Sequence, residues 1–233
     1  MQIKTLFKQF DKLQRIHGDK NLYAVYGAGE IHNPQICLIF MNPTGKNISS
    51  SKQWTGLKAP WISTKNIWKM FFQLGLFKED FYNKIKTKKP EDWCYKFADE
   101  VYKKVKDNSI YITNLAKATQ TDARPLKNEV FREYLNLLKK EINIINPQII
   151  ITFGNQVSSI ILNKNIKISD YRKKHENLKI GNKNYKIFPV YYPVGQGMRN
   201  MPMAKEDIAW IINNSRPNAE THPQAYQFEL HTH

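Results

Sequence analysis

The stretch Ile36-Cys-Leu-Ile-Phe-Met-Asn-Pro-Thr-Gly45 constrains the chain more than any other. Ile36 to Met41 are apolar without a break, and a short run of β-branched and aromatic character reads as a strand buried on both faces. Such strands belong to parallel sheets covered by helices on both sides. Pro43 stops the strand, because a residue without an N–H cannot continue a central ladder. The polar turn from Asn42 to Asn47 follows at the carboxyl end, the edge where open α/β sheets hold their ligands.

The remaining elements fit around this strand. Helical spacing of Ile3, Leu6, Phe7, Phe10, Leu13 and Ile16 predicts an amphipathic helix over 3–17. Residues 22–35 read as a loop with a short strand at Leu22–Tyr26, and 43–63 as a long loop of the kind that often carries function. Ser63-Thr64 reads as the N-cap of a helix whose apolar face is Ile67, Trp68, Phe71, Phe72 and Leu74. Residues 78–90 read as a polar, basic turn region. A helix over 91–106 leads to a second strand, 109–113, and a strand-end loop opened by Asn114. A long amphipathic helix over 127–145 precedes a third buried strand, 148–153, and Gly154-Asn155 opens a helix to about Leu162. Residues 163–184 read as surface loops with a hairpin at Gly181-Asn182. A fourth strand, 186–192, ends at Pro193, and the last helix covers roughly 204–213. This order predicts a three-layer α/β/α sandwich with a central, mostly parallel, four-stranded sheet. One domain is expected over 1–216, with an irregular tail over 217–233.

The charge balance narrows the partner. There are 36 basic and 20 acidic residues, for a net charge of +16. Scattered lysines alone are a solvated surface, but the shortage of acids points to a polyanion, most simply nucleic acid. No apolar run approaches the roughly 20 residues of a membrane span, and the N-terminus lacks the pattern of a signal peptide. Cys37 and Cys94 both fall on elements expected to be buried, which fits a reducing compartment. No Cys, His and acid set completes a metal site, and no Gly-rich phosphate loop is present. The expectation is a cytoplasmic, monomeric protein that meets nucleic acid, without cofactor, metal or membrane contact.

Three strand-end loops converge at one edge of a parallel sheet: Asn42-Pro43, Asn114, and Tyr192-Pro193-Val194-Gly195. Together with Phe40-Met41-Asn42-Pro43-Thr44-Gly45, Ala59-Pro60-Trp61, Tyr111-Ile-Thr-Asn114-Leu-Ala-Lys117 and Phe153-Gly154, they resemble the uracil-DNA glycosylase superfamily over about residues 35–212. The resemblance implies that Asn42 positions the attacking water and that Met41 belongs to the base-binding set. It implies that Asn114 hydrogen-bonds the flipped base and Trp61 stacks on it. Gly195, Gln196 and Arg199 would enter the DNA where the base leaves, with Arg199 or Lys117 touching phosphates. In the family the last motif commonly begins His-Pro, and the His donates to the developing base anion. Tyr192 stands there in this chain, so a phenol is the candidate donor. The four cysteines of an iron–sulfur branch are missing, and no lysine is placed by motif for lyase chemistry. A monofunctional DNA glycosylase acting on uracil or another altered base is therefore expected. Two alternatives stay open: a non-catalytic nucleic-acid-binding module on the same fold, and a glycosylase for modified bases of foreign DNA.

Overall fold

The computed structural model describes residues 2–123 and 126–215, with the backbone alone at Gln196. The expected tail over 217–233 lies outside them. In chain order the elements are α1 (Phe7–His17), β1 (Ala28–Gly29), β2 (Ile36–Phe40), α2 (Asn66–Gln73), α3 (Glu79–Thr87), α4 (Tyr95–Asp107), β3 (Ile110–Asn114), α5 (Asn128–Ile145), β4 (Ile149–Phe153), α6 (Asn155–Leu162), β5 (Glu176–Ile180), β6 (Lys183–Val190) and α7 (Met201–Ser215).

The sheet order is β1-β3-β2-β4-β6-β5. The four expected strands form its parallel centre, and the apolar residues within them are buried, while Met41, Tyr191 and Tyr192, past the strand ends, are half-buried. The sheet has six strands rather than four. β1 pairs antiparallel with β3, and β5 forms an antiparallel hairpin with β6. β1 has only two residues, and the expected strand at Leu22–Tyr26 contributes a single bridge, Leu22 to Ser51. Pro189 is tolerated in β6 because β5 pairing stops at Ile187, which leaves its missing N–H without a ladder to break.

Period-two alternation divides the core between two faces. Ile36, Leu38 and Phe40 point toward α2, α3, α4 and α7, while Cys37 and Ile39 point toward α1, α5 and α6. In β3, Ile110 and Ile112 share the first face, and Tyr111 faces the second. Asn114 is in phase with the first set and Thr113 with the second, a separation on which the site depends.

Several local expectations are corrected. Residues 78–90 contain α3, whose Phe81 and Ile85 are buried four positions apart behind a basic outer surface. Ser63 and Thr64 do not cap α2, which starts later, at Asn66. Ser63 Oγ instead donates to the Lys46 carbonyl and accepts from the Ile48 N–H, both at 3.2 Å, and Thr64 Oγ1 donates to the Trp61 carbonyl at 2.8 Å. Both hydroxyls fix the long loop. Cys94 is exposed, since it precedes the first turn of α4 rather than lying on its buried stripe. No helix among the described residues is long and apolar enough to cross a membrane.

Candidate active site

The β2/β3 register places Phe40 beside Asn114, so Asn42 projects from the turn directly beyond. Backbone bonds continue this pairing past the sheet. Leu115 N–H donates to the Phe40 carbonyl at 2.7 Å, Ala116 N–H to Met41 at 3.1 Å and Gln120 N–H to Pro43 at 3.1 Å. Gly45 N–H returns a bond to the Gln120 carbonyl at 2.7 Å. The two strand-end loops are thus one pinned unit.

The third wall comes from the long loop. Trp61 adopts a left-handed backbone conformation (φ 67°), uncommon for a bulky residue and strained there. Its neighbours hold it in place. The Trp61 carbonyl accepts from Trp68 Nε1 at 3.2 Å as well as from Thr64. The Pro60 carbonyl accepts from the Tyr102 hydroxyl at 2.6 Å. The Ala59 carbonyl accepts from Asn47 Nδ2 and Ser49 Oγ, both at 2.8 Å.

These walls enclose a cavity of about 440 Å³, within the range of roughly 300–1,000 Å³ for small-ligand sites. Met41, Asn42, Trp61, Asn114, Tyr192 and Gly195 all line it. Phe40 lies behind the walls and touches three aromatic rings: Phe153 stacked at 4.3 Å, Trp61 edge-on at 4.9 Å and Tyr192 edge-on at 6.0 Å between centroids. A more open groove of about 1160 Å³ between α5 and α6 shares Asn155 and Gln156 with this cavity but none of the six residues above.

The polar atoms of the cavity are incompletely paired. Asn42 Nδ2 donates to the Pro43 carbonyl at 3.2 Å, which leaves Oδ1 buried with no partner in the protein. Asn114 Nδ2 and Trp61 Nε1 are likewise buried without partners. Buried polar groups are ordinarily hydrogen-bonded, so one acceptor and two donors left open around one cavity point to a ligand that completes them. No carboxylate lines the cavity among the described residues. Among those residues the polar groups facing the water site are amides, and an amide can hold water in place but accepts a proton poorly. Burial holds the Tyr192 phenol above its ordinary pKa of 10.0, so at neutral pH it is a hydrogen-bond donor.

Sequence reasoning passed over the first turn of α6. Gly154, Asn155, Gln156 and Val157 line the cavity, and N–H groups at a helix start have no intrahelical acceptor. The macrodipole adds positive potential there. The signal was available, since Gly154 follows a strand end as Asn42 does. Phe153 and Lys46 were also passed over; Lys46 lines the rim and is exposed, with no ion pair among the described residues.

The Lys117 side chain does not reach the surface, contrary to the expectation of a phosphate contact. Its ammonium is wholly buried and pairs with Glu141 at 2.6 Å, with further bonds to Thr113 Oγ1 at 2.7 Å and the Asn114 carbonyl at 2.5 Å. Glu141 Oε1 also accepts from the Tyr111 and Thr113 hydroxyls at 2.7 and 2.8 Å. Burial lowers the Lys117 pKa, and Glu141 opposes that shift. The strand alternation explains the placement, because Tyr111, Thr113 and Lys117 occupy the face opposite Asn114. Arg199 is exposed on the turn Gly195–Asn200 that rims the cavity, and Gln196 lies on the same turn. Gly197 packs against this rim so closely that a Cβ would lie 2.1 Å from the Tyr192 carbonyl oxygen. No cluster of three or more His, Cys, Asp or Glu side chains suited to a metal occurs among the described residues.

No curated protein matches the chain. A family model described as the uracil DNA glycosylase superfamily matches residues 26–211, a span that contains the whole sheet and every residue lining the cavity. The chain belongs to the uracil DNA glycosylase superfamily.

Proposed function

We propose that the protein is a monofunctional DNA glycosylase that hydrolyses the N-glycosidic bond of uracil or another altered base held out of DNA in this cavity. Membership of the superfamily supports a glycosylase-type enzyme acting on DNA in general, and the net charge of +16 suits that partner. The observation that carries the specific reading is the pair of unpaired amide atoms, Asn42 Oδ1 and Asn114 Nδ2, facing one aromatic-walled cavity with no carboxylate among its described lining residues.

In this reading Asn42 Oδ1 accepts a hydrogen bond from water and aims it at the anomeric carbon. Orientation without strong basicity suffices where bond breaking runs ahead of attack. Asn114 Nδ2 donates to a carbonyl oxygen on the base edge. Trp61 and Phe153 flank the ring. The departing base carries negative charge, and two sources face it: the Tyr192 hydroxyl and the N-terminal turn of α6. Of the two, Tyr192 holds the chain position of the family's usual His. Arg199 and Lys46 sit at the rim for phosphates, a role not available to Lys117.

The test is a panel of end-labelled oligonucleotides carrying uracil, hypoxanthine, xanthine and modified cytosines. An alkali-labile site at one or more of these lesions is expected, and none across the panel would sink the reading. Asn42→Ala is expected to abolish excision while retaining DNA binding, and undiminished excision would remove Asn42 from the mechanism.

A further inference from the structure

Large exposed apolar side chains are few among the described residues, and three of the five, Tyr23, Leu57 and Tyr95, belong to one surface. Gly56 sits between the Trp54 indole and Tyr95. A Cβ there would come 2.9 Å from the indole and 2.8 Å from Tyr95 Cβ, so only glycine allows this packing. Trp54 Nε1 donates to the Leu57 carbonyl at 3.0 Å, which closes the turn. Tyr23 joins it through a backbone bond from its N–H to the Ser50 carbonyl at 2.8 Å, and Lys58 Nζ lies 3.8 Å from the Tyr23 ring centroid. Lys96 Nζ lies 6.0 Å from that of Tyr95.

The surface lies on the edge that holds the cavity. α4 runs into β3, and β3 is parallel to β2, so Tyr95 at the start of α4 is at the carboxyl end of the sheet. Tyr102 of the same helix bonds the carbonyl of Pro60, which itself lines the cavity beside Trp61. The Tyr23 and Leu57 side of the surface is basic: no Asp or Glu occurs between Glu30 and Glu79, a span with six lysines, Lys52 and Lys58 among them, while acids (Glu91, Asp92 and Asp99) occur near Tyr95 in the chain.

We infer that Tyr23, Leu57 and Tyr95, edged by Lys52, Lys58 and Lys96, form a stacking ledge for unpaired bases of single-stranded DNA beside the cavity. Exposed rings next to cations suit bases and phosphates in alternation, and stacking accepts any base because each has a π-face. In a duplex the bases already stack on each other, so the ledge favours single strands. The inference rests on reading the cavity as the site of a DNA glycosylase.

The experiment is fluorescence anisotropy with labelled, undamaged oligodeoxynucleotides, single-stranded and duplex. It compares the full chain with Tyr23→Ser/Leu57→Ser/Tyr95→Ser, with a melting curve recorded for each. Single-strand affinity is expected to fall on the order of tenfold or more, and duplex affinity by less than about twofold. Tyr95→Phe, which keeps the ring, retains single-strand affinity. Tyr95→Ser alone carries the same comparison at a solvent-exposed position. An equal fall on both DNA forms, or unchanged single-strand binding, overturns the ledge. Nothing is excised in this assay, so failure here is distinct from failure of the oligonucleotide panel.

Discussion

Replacing Lys117 by Met is the most informative perturbation of the fold, because it removes one partner of a wholly buried pair. Lys117 and Glu141 expose 0 % and 1 % of their side chains. Breaking such a pair costs about 3–5 kcal/mol, chiefly because the remaining charge is stranded away from water. Glu141 keeps its bonds from Tyr111 and Thr113, so the lower end, about 3 kcal/mol, is expected. For a domain of this size each kcal/mol moves the melting temperature by about 2–4 °C, so the fall should be about 6–12 °C. The double variant Lys117→Met/Glu141→Gln removes the stranded charge and should recover at least half of that loss. The assay is thermal unfolding by circular dichroism at fixed pH and salt. A single variant within about 2 °C of the parent, or a double variant no more stable than the single, refutes the reasoning. Excision should also slow in the single variant, since Lys117 holds the carbonyl of Asn114.

Three further outcomes follow from the site and its supports. Tyr192→Phe should lower the excision rate by about a hundredfold, the scale for losing one donor to developing charge, with DNA binding retained; the parent pH–rate profile should show no loss assignable to Tyr192 ionisation below pH 10, because burial holds the phenol above 10.0. Gly197→Ala forces a methyl group to within 2.1 Å of the Tyr192 carbonyl oxygen, so the rim must shift and excision should fall more than the melting temperature does, as enzyme kinetics and melting curves on the same preparation would reveal. Glu206, hydrogen-bonded by Lys173 and Arg172, has its pKa lowered from 4.5 to about 2. A depressed carboxylate contributes stability above its unfolded value and loses it as pH falls through its folded value. Melting temperature should therefore decline between pH 4.5 and 2, and Glu206→Gln should flatten that limb. The effect is small because Glu206 is half exposed.

The parts of the fold legible in the sequence are those where one signal dominates. β2 is an unbroken apolar run, β3 and β4 are apolar apart from Thr113, Asn114 and Thr152, and β6 is apolar and buried over 187–190, a pattern that reads as strands buried on both faces. The edges lack that signal: β1 is two residues long, and β5 alternates Glu176, Asn177, Leu178, Lys179 and Ile180. α3 was obscured because its buried face needs only Phe81 and Ile85 within a lysine-rich stretch. The cavity was legible because strand ends in a parallel sheet converge, and Asn42, Asn114 and Tyr192 each end a strand. Lys117 was misread because its partner lies far along the chain. A clue existed in α5, where Glu141 follows Tyr134 and Leu138 at seven and three positions, on the buried stripe rather than the wet one. A lone acid on such a stripe calls for a buried cation.

The ring of Phe40 has a consequence for how this pocket can change. It is the shared backing of Trp61, Phe153 and Tyr192, which come from a loop and two different strand ends. A substitution at any of the three alters the surface against which the other two rest. Their effects on fit are therefore non-additive, as for residues in one packed cluster. Asn114 lies outside that ring contact, so exchanging its amide alters the bonding pattern without repacking the walls. In the proposed reading, the route to a new base specificity with the least epistasis runs through Asn114, with Asn42 kept for the water and the aromatic box inherited as a unit.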